Sequence, residues 1–290
     1  MTTLAHIAEL ETLRDRRLLV FGASQIEIDL LPALYDTLAR LGHQPALDVL
    51  VYSRGGAVNA ARRIALLLDE FTDHLTFVVP HYCESAGTLM ALAAREIIAG
   101  PTAIFSPIDP LLTTAASSAQ SGPLALSCQD IRLFQTMGED WFGLHGEEAG
   151  SRSLAVLCDS IFPTTLTSLY RCALEVQQIA TELLALHMPD ESRDVRAKIV
   201  DTLLFGFHSH TYAITRNELT RLGLRIVRAP AVEAAAWRIA SELQGWMGPE
   251  ACTSFDDDRF DALIATREGG VRRRRREDSP AGSWDALDSA

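Results

Sequence analysis

Apolar and polar positions fall into two patterns along the first part of the chain. Short unbroken apolar runs stand between longer stretches in which apolar residues return every three or four positions. RLLVFG (17–22), ALDVLVYS (46–53) and LTFVVP (75–80) belong to the first kind and predict strands buried on both faces. IDLLPALYDTLARLG (28–42) and AVNAARRIALLLDEF (57–71) belong to the second. Pro32 falls in the first turns of the former and Gly42 near its end, while Ala61, Ile64, Ala65 and Leu68 share one face of the latter. An opening helix with Leu4, Ile7, Leu10 and Leu13 along one face precedes them, and EIIAG (96–100) and TAIFS (102–106) add two short apolar runs. This alternation predicts an α/β fold, a mostly parallel sheet with crossover helices.

Beyond Pro110 the pattern changes. TTAASSAQSGP (113–123) is small, polar and turn-rich, long enough to be mobile or to cover something. Helical periodicity then dominates, in TSLYRCALEVQQIATELLALH (167–187), RDVRAKIVDTLLFG (193–206), RNELTRLGL (216–224) and around 232–243, so the C-terminal half is expected to be helical. SFDDDRFD (254–261) reads as an acidic linker. The five consecutive arginines at 272–276, followed at once by Glu277 and Asp278 and a Ser/Pro/Gly-rich stretch, read as a solvated, disordered tail. Residues 1–250 are therefore expected to form one domain and residues 251–290 a linker and tail.

A formal charge of −12 argues against a general nucleic-acid binder, which needs a basic surface to neutralise phosphates. No apolar run approaches the roughly 18 residues that span a bilayer, and the mixed-charge start MTTLAHIAELETLRDRR does not resemble a signal peptide, so a cytoplasmic protein with no integral membrane segment is expected. The five cysteines, Cys83, Cys128, Cys158, Cys172 and Cys252, are widely spaced with no C-x-x-C pair, which predicts neither a disulfide framework nor a zinc site; no cofactor or metal is expected.

The candidate chemistry lies where predicted strands give way to helices. In HYCESAGTLMALAA (81–94), Ser85 stands between the strand-like LTFVVP and an apolar, helix-like run. A helix start leaves backbone N–H groups unpaired, which favours an anion or developing oxyanion; it also favours serine merely as a cap. Gly55 and Gly56 occupy the corresponding place after ALDVLVYS, where glycines let N–H groups approach a ligand closely or simply make the turn. In a parallel sheet the two loops are neighbours across a crevice. A nucleophile between two sets of N–H donors is what a tetrahedral acyl intermediate requires.

In this order, YSRGGAVNAARRIALLLDEF, VVPHYCESAGTLMALAAREIIAG and SPIDP resemble the serine dehydrogenase proteinase family, a branch of the Clp-fold serine peptidases, from about residue 10 to the HTYAITRNELTRLGL stretch. The resemblance implies a ClpP/crotonase-like fold, with Ser85 as nucleophile and the N–H groups around Gly55, Gly56 and Ala57 and at Ala86 as the oxyanion hole. It further implies a cytoplasmic, ATP-independent peptidase that acts on peptides or unfolded protein inside a homo-oligomer.

The base is the point of departure. Related enzymes often place a lysine some tens of residues after the serine, but SGPLALSCQDIRLFQTMGEDW has none, and the guanidinium of Arg132 stays protonated at any working pH. Lys198, the only lysine of the chain, lies in an amphipathic helix between Arg196 and Asp201 and reads as a surface residue. Histidine is the alternative. His210 in HSHTYAIT matches a family histidine, although the acidic residue expected beside it is Thr211; His208 lies two residues earlier and His81 four residues before the serine, where it shapes the strand end. Asp109, between Pro107-Ile108 and Pro110, either stabilises its own turn or orients a histidine. Glu84 is expected to point away from the serine and Cys83 to be buried filling. Two other readings stay open: a Clp-fold scaffold that binds a peptide or partner without turnover, motivated by the missing lysine and by Thr211, and acyl-thioester chemistry on a crotonase-like fold.

Overall fold

The computed structural model describes residues 3–114, 124–247, 259–276 and 279–287. Its elements follow in the order α1 (Thr3–Arg14), β1 (Arg17–Ala23), α2 (Leu31–Leu41), β2 (Leu47–Ser53), α3 (Val58–Glu70), β3 (Leu75–Val79), β4 (Tyr82–Cys83), α4 (Ala86–Ala91), β5 (Glu96–Ala99) and β6 (Ile104–Phe105). A hairpin of β7 (Leu111–Thr114) and β8 (Leu124–Ser127) leads into α5 (Cys128–Phe142), α6 (Glu147–Ser160), α7 (Pro163–His187), α8 (Arg193–Phe205) and α9 (Arg216–Leu222). After β9 (Ile226–Val227) and α10 (Pro230–Trp246) come β10 (Ala262–Thr266), β11 (Gly269–Arg276) and β12 (Ser279–Leu287).

The α/β class and largely parallel sheet expected from the alternation are observed. The main sheet runs β12-β11-β10-β1-β2-β3-β5-β9, parallel from β1 to β9, with β4 and β6 branching from the end of β2. Its central strands are almost wholly apolar because both faces are covered. Leu47, Val49 and Val51 of β2 and Leu19, Phe21 and Ala23 of β1 face the core with α2, α3, α4, α7 and α8. The alternate residues Leu50, Tyr52, Leu18 and Val20 face α1 and α10. One charged residue interrupts this run: Asp48 of β2 is buried, with the Nε of Arg14 at 2.7 Å, so the end of α1 is tied to the sheet by an ion pair.

One expectation needs correction. The region 259–287, expected to finish a linker and form a disordered tail, adds three antiparallel strands to the sheet: β10 pairs with β1, β11 with β10 and β12 with β11. The arginine run lies in β11, where alternation turns Arg273 inward until it is 0% exposed, while Arg274 projects from the other face to pair with Asp285 at 2.8 Å. Of the small polar stretch 113–123, Thr113 and Thr114 end β7; residues 115–123 lie outside the described residues, as do 254–258 of the acidic stretch. Among the described residues no helix is long and apolar enough to cross a membrane.

Candidate active site

β4 lies beside the end of β2, pairing Ser53 with Cys83, so the loops that follow the two strands leave the sheet together. The backbone of Ser85 has φ 51° and ψ −114°, a conformation that costs a non-glycine residue about 1–3 kcal/mol and persists only where its surroundings impose it. Those surroundings are a set of short hydrogen bonds. Glu84 N–H donates to the Ser53 carbonyl at 3.0 Å, Ser85 N–H to Ser106 Oγ at 2.7 Å and Gly87 N–H to the Glu84 carbonyl at 2.7 Å. The Thr88 hydroxyl donates to the Cys83 carbonyl at 2.8 Å and accepts from Ser106 N–H at 3.0 Å, which ties the serine turn to the end of β6. Ser106, the second hydroxyl beneath the turn, went unnoticed in the sequence because it sits 21 residues further on in an apolar run.

The oxyanion-hole candidates separate by their hydrogen bonds. Gly55 N–H is engaged by Ser53 Oγ at 3.2 Å and Ala57 N–H by the Ile26 carbonyl at 2.8 Å, so neither of these amides is available as expected. Gly56 N–H and Ala86 N–H have no partner among the described residues, and both residues line the cavity above Ser85. The two glycines are required for different reasons. A Cβ on Gly55 would lie 2.9 Å from the Cβ of Ser85; one on Gly56 would lie 2.4 Å from the backbone N and O of Ile26. The apolar run after Ser85 is also shorter as a helix than its composition suggests. α4 ends at Ala91, so the local N–H groups, rather than a long helix dipole, carry the positive potential.

His210 and Asp109 meet across 101 residues of sequence, with the imidazole Nδ1 hydrogen-bonded to Asp109 Oδ1 at 2.8 Å. An isolated antiparallel bridge brings them there: Phe105 N–H donates to the Ile214 carbonyl at 3.0 Å and Ile214 N–H to the Phe105 carbonyl at 2.8 Å. Ile108 N–H, bonded to the Leu203 carbonyl at 3.1 Å, anchors the Pro-Ile-Asp-Pro loop from the other side. Asp109 is only 4% exposed, and its carboxylate serves the histidine rather than a turn of its own.

Ser85, Ala86, Gly56, Asp109 and His210 all border one cavity of about 670 Å³, a size suited to part of a peptide or a small acyl compound. Its far walls come from Gln25, Ile26 and Glu27 after β1 and from Cys172, Glu175 and Val176 of α7. The remaining candidates lie elsewhere. Lys198 is exposed on α8, and His208 is exposed two residues before His210. His81 stacks on Tyr82 and hydrogen-bonds the Thr102 carbonyl through Nδ1 at 2.9 Å. Glu84 does not line the cavity; burial raises its pKa, against the opposing pull of Arg54. Arg132 stacks its guanidinium over Phe205. Cys83 is fully buried and its thiol is pushed far up, so it is filling as expected. Burial, followed by the nearby Asp109 charge, pushes Cys128 up to about 11, leaving it a neutral thiol at physiological pH.

The strand-end serine in SAGT, the paired glycines and the Ile-Asp-Pro loop thus surround one cavity. Residues 34–121 match the family of ClpP-like SDH-type serine proteinases. The resemblance drawn from the motifs therefore holds over that stretch, which contains Gly55, Gly56, Ser85, Ala86 and Asp109 and stops short of His210. Two uncharacterized proteins of Methanocaldococcus jannaschii are similar. One is 27% identical over 183 residues, 62% of this chain and 51% of its own length; the other is 42% identical over 66 residues, 23% of each. The chain thus spans about half of the longer-matching relative. Among solved structures, similar folds include a variant of a membrane-bound stomatin-specific protease at 15% identity (TM-score 0.42, covering 76% of this chain and 79% of that one). A ClpP1 variant from Listeria monocytogenes is similar at 14% identity (TM-score 0.40, 78% and 99%), and an enoyl-CoA hydratase from Polaromonas sp. JS666 at 15% (TM-score 0.35, 81% and 76%).

Proposed function

We propose that the protein is a serine peptidase whose acyl-enzyme forms at Ser85. The observation that carries this reading is the convergence on one cavity of a conformationally strained serine, a histidine hydrogen-bonded to a buried carboxylate, and two unpartnered backbone amides. In this reading Asp109 holds the imidazole with its proton on Nδ1, leaving Nε2 to accept the Ser85 hydroxyl proton during attack on a peptide carbonyl. Gly56 and Ala86 N–H then receive the oxygen that becomes negative, and the imidazolium returns its proton to the leaving amine. The amide of Ser85 itself is spent on Ser106, so the amide of the following residue takes the second donor place.

Ser85 Oγ makes no hydrogen bond to His210 among the described residues, which is the observation favouring the second reading, a peptide- or partner-binding scaffold. Such contacts commonly close only when substrate is bound. Self-association belongs to the first reading, supported by the exposed Trp141, Phe142, Phe162 and Tyr170 along α5–α7, which burial between copies would remove from water. A fluorophosphonate probe read by intact mass decides between the two. A single adduct is expected on the wild type and on Lys198→Ala, and none on Ser85→Ala, with peptide turnover falling about a million-fold in the serine variant. A folded wild type that takes no adduct would select the scaffold.

A further inference from the structure

We infer that Arg273, from the arginine run of β11, is a positioning residue for the oxyanion donors. It acts through Glu27, Asp29 and Ile26; the inference rests on reading the cavity as an acyl-transfer site. The side chain of Arg273 is entirely buried and surrounded by three carboxylates. Its Nε and Nη2 grip Asp261 at 3.0 and 2.7 Å, Nη1 lies 2.8 Å from both oxygens of Asp29, and Nη2 lies 2.9 Å from Glu27. Arg275, on the same face, adds a hydrogen bond to Glu27 and an ion pair to Asp261 at 3.1 Å. Gly282 of β12 is what lets the stem lie there, since a Cβ at that position would stand 3.0 Å from Arg273 Cγ.

Between the gripped residues and the site stands one residue. Ile26 precedes Glu27 directly, donates its N–H to the Gly55 carbonyl at 2.7 Å, and accepts at its own carbonyl from Ala57 N–H at 2.8 Å. These two bonds bracket Gly56, whose backbone touches Ile26 so closely that no Cβ fits, and among the described residues they leave Gly56 N–H without a partner between two engaged amides. On the other side of Ile26, Ser24 N–H donates to the Asp261 carbonyl at 2.8 Å, so the segment before Ile26 is held by the same aspartate that Arg273 grips. Arg273 and Arg275 also compensate the charge of Glu27, a residue that lines the same cavity as Gly56 and Ala86. A guanidinium suits this place because one planar group binds three carboxylates at once, which an ammonium cannot reproduce.

Losing the grip should loosen Ile26 and misdirect an interaction made only in the transition state, so kcat should fall while KM stays. The test uses hydrolysis of p-nitrophenyl butyrate by the full chain and hydrogen exchange of the 54–58 amides in Arg273→Lys, Glu27→Gln and Asp29→Asn. Expected are a kcat about tenfold lower with KM within about twofold for Arg273→Lys, and a smaller drop of the same kind for Glu27→Gln. Exchange over 54–58 should be faster in both, with β5 and α7 unchanged. The inference is overturned by a raised KM at unchanged kcat, by wild-type kcat and 54–58 exchange in Glu27→Gln and Asp29→Asn should Arg273→Lys fail to fold, or by uniformly faster exchange. If the wild type does not hydrolyse the ester, the reading of the cavity fails on its own, and exchange over 54–58 still decides whether Arg273 holds the loop.

Discussion

The serine turn and the arginine strand solve opposite problems. Around Ser85 the chain uses almost no charge: small residues, two hydroxyls and backbone amides build a strained turn whose every bond spans a few ångströms. Around Arg273 it concentrates two guanidiniums and three carboxylates, Asp261 from 12 residues away and Asp29 and Glu27 from 244 and 246 residues away. The first arrangement creates donors with nothing to bind; the second leaves no guanidinium charge uncompensated. Reactivity and rigidity are thus assigned to different stretches of chain, and Ile26 is where they touch.

The sharpest way to break this division is to remove charge where the site does use it. Asp109→Asn keeps the shape of the side chain but lets the amide favour the wrong imidazole tautomer; kcat should drop about 10⁴-fold with circular dichroism unchanged, and a drop below about tenfold would remove Asp109 from the mechanism. Next in size is Gly56→Ala, which places a methyl group against the Ile26 backbone at a φ of +148°. It should cost about 3 kcal/mol or more in denaturant unfolding, and a neutral result would mean that the Ile26 contact is soft.

The smallest effect concerns neither region and supplies the baseline for both. His187 is buried with Nδ1 bonded to the Ala94 carbonyl and Nε2 accepting Arg225 N–H at 2.9 Å, and burial lowers its pKa. The unfolded chain takes up that proton more readily than the folded one. The stabilisation is therefore complete above about pH 6.5 and is lost as pH falls from there through the lower folded value. The melting temperature should decline between about pH 7 and pH 5, less steeply in His187→Gln; equal slopes would place the acid sensitivity elsewhere, for example at His74, whose pKa burial also lowers.

The same contrast explains what could be read from the sequence. Strand-helix alternation and the loops carrying Gly55, Gly56 and Ser85 were legible because local backbone demands fix residue types within a few positions. That Gly56, and not Gly55, keeps its amide open was not legible, since the answer depends on Ser53 Oγ and on Ile26, which reaches the turn from another strand end. Asp109 and His210 were each visible, but their meeting depends on the Phe105–Ile214 bridge, a pair too short to leave a periodic signal. The arginine run misled for a related reason: five identical side chains hide the inside-outside alternation of a strand, and two of the three carboxylates that make one of them buriable, Glu27 and Asp29, lie more than 240 residues away.

One consequence concerns time. β10 pairs with β1, the first strand of the chain, and Arg273 follows it by only a few residues. A growing polypeptide acquires Ser85 well before β10 and β11, so the edge of β1 that β10 covers and the carboxylates beside Ile26 stay without their partners until those strands have been synthesised. Completion of the cleft is thereby ordered, with the Ser85 turn made before the arginines that pair with the carboxylates beside Ile26.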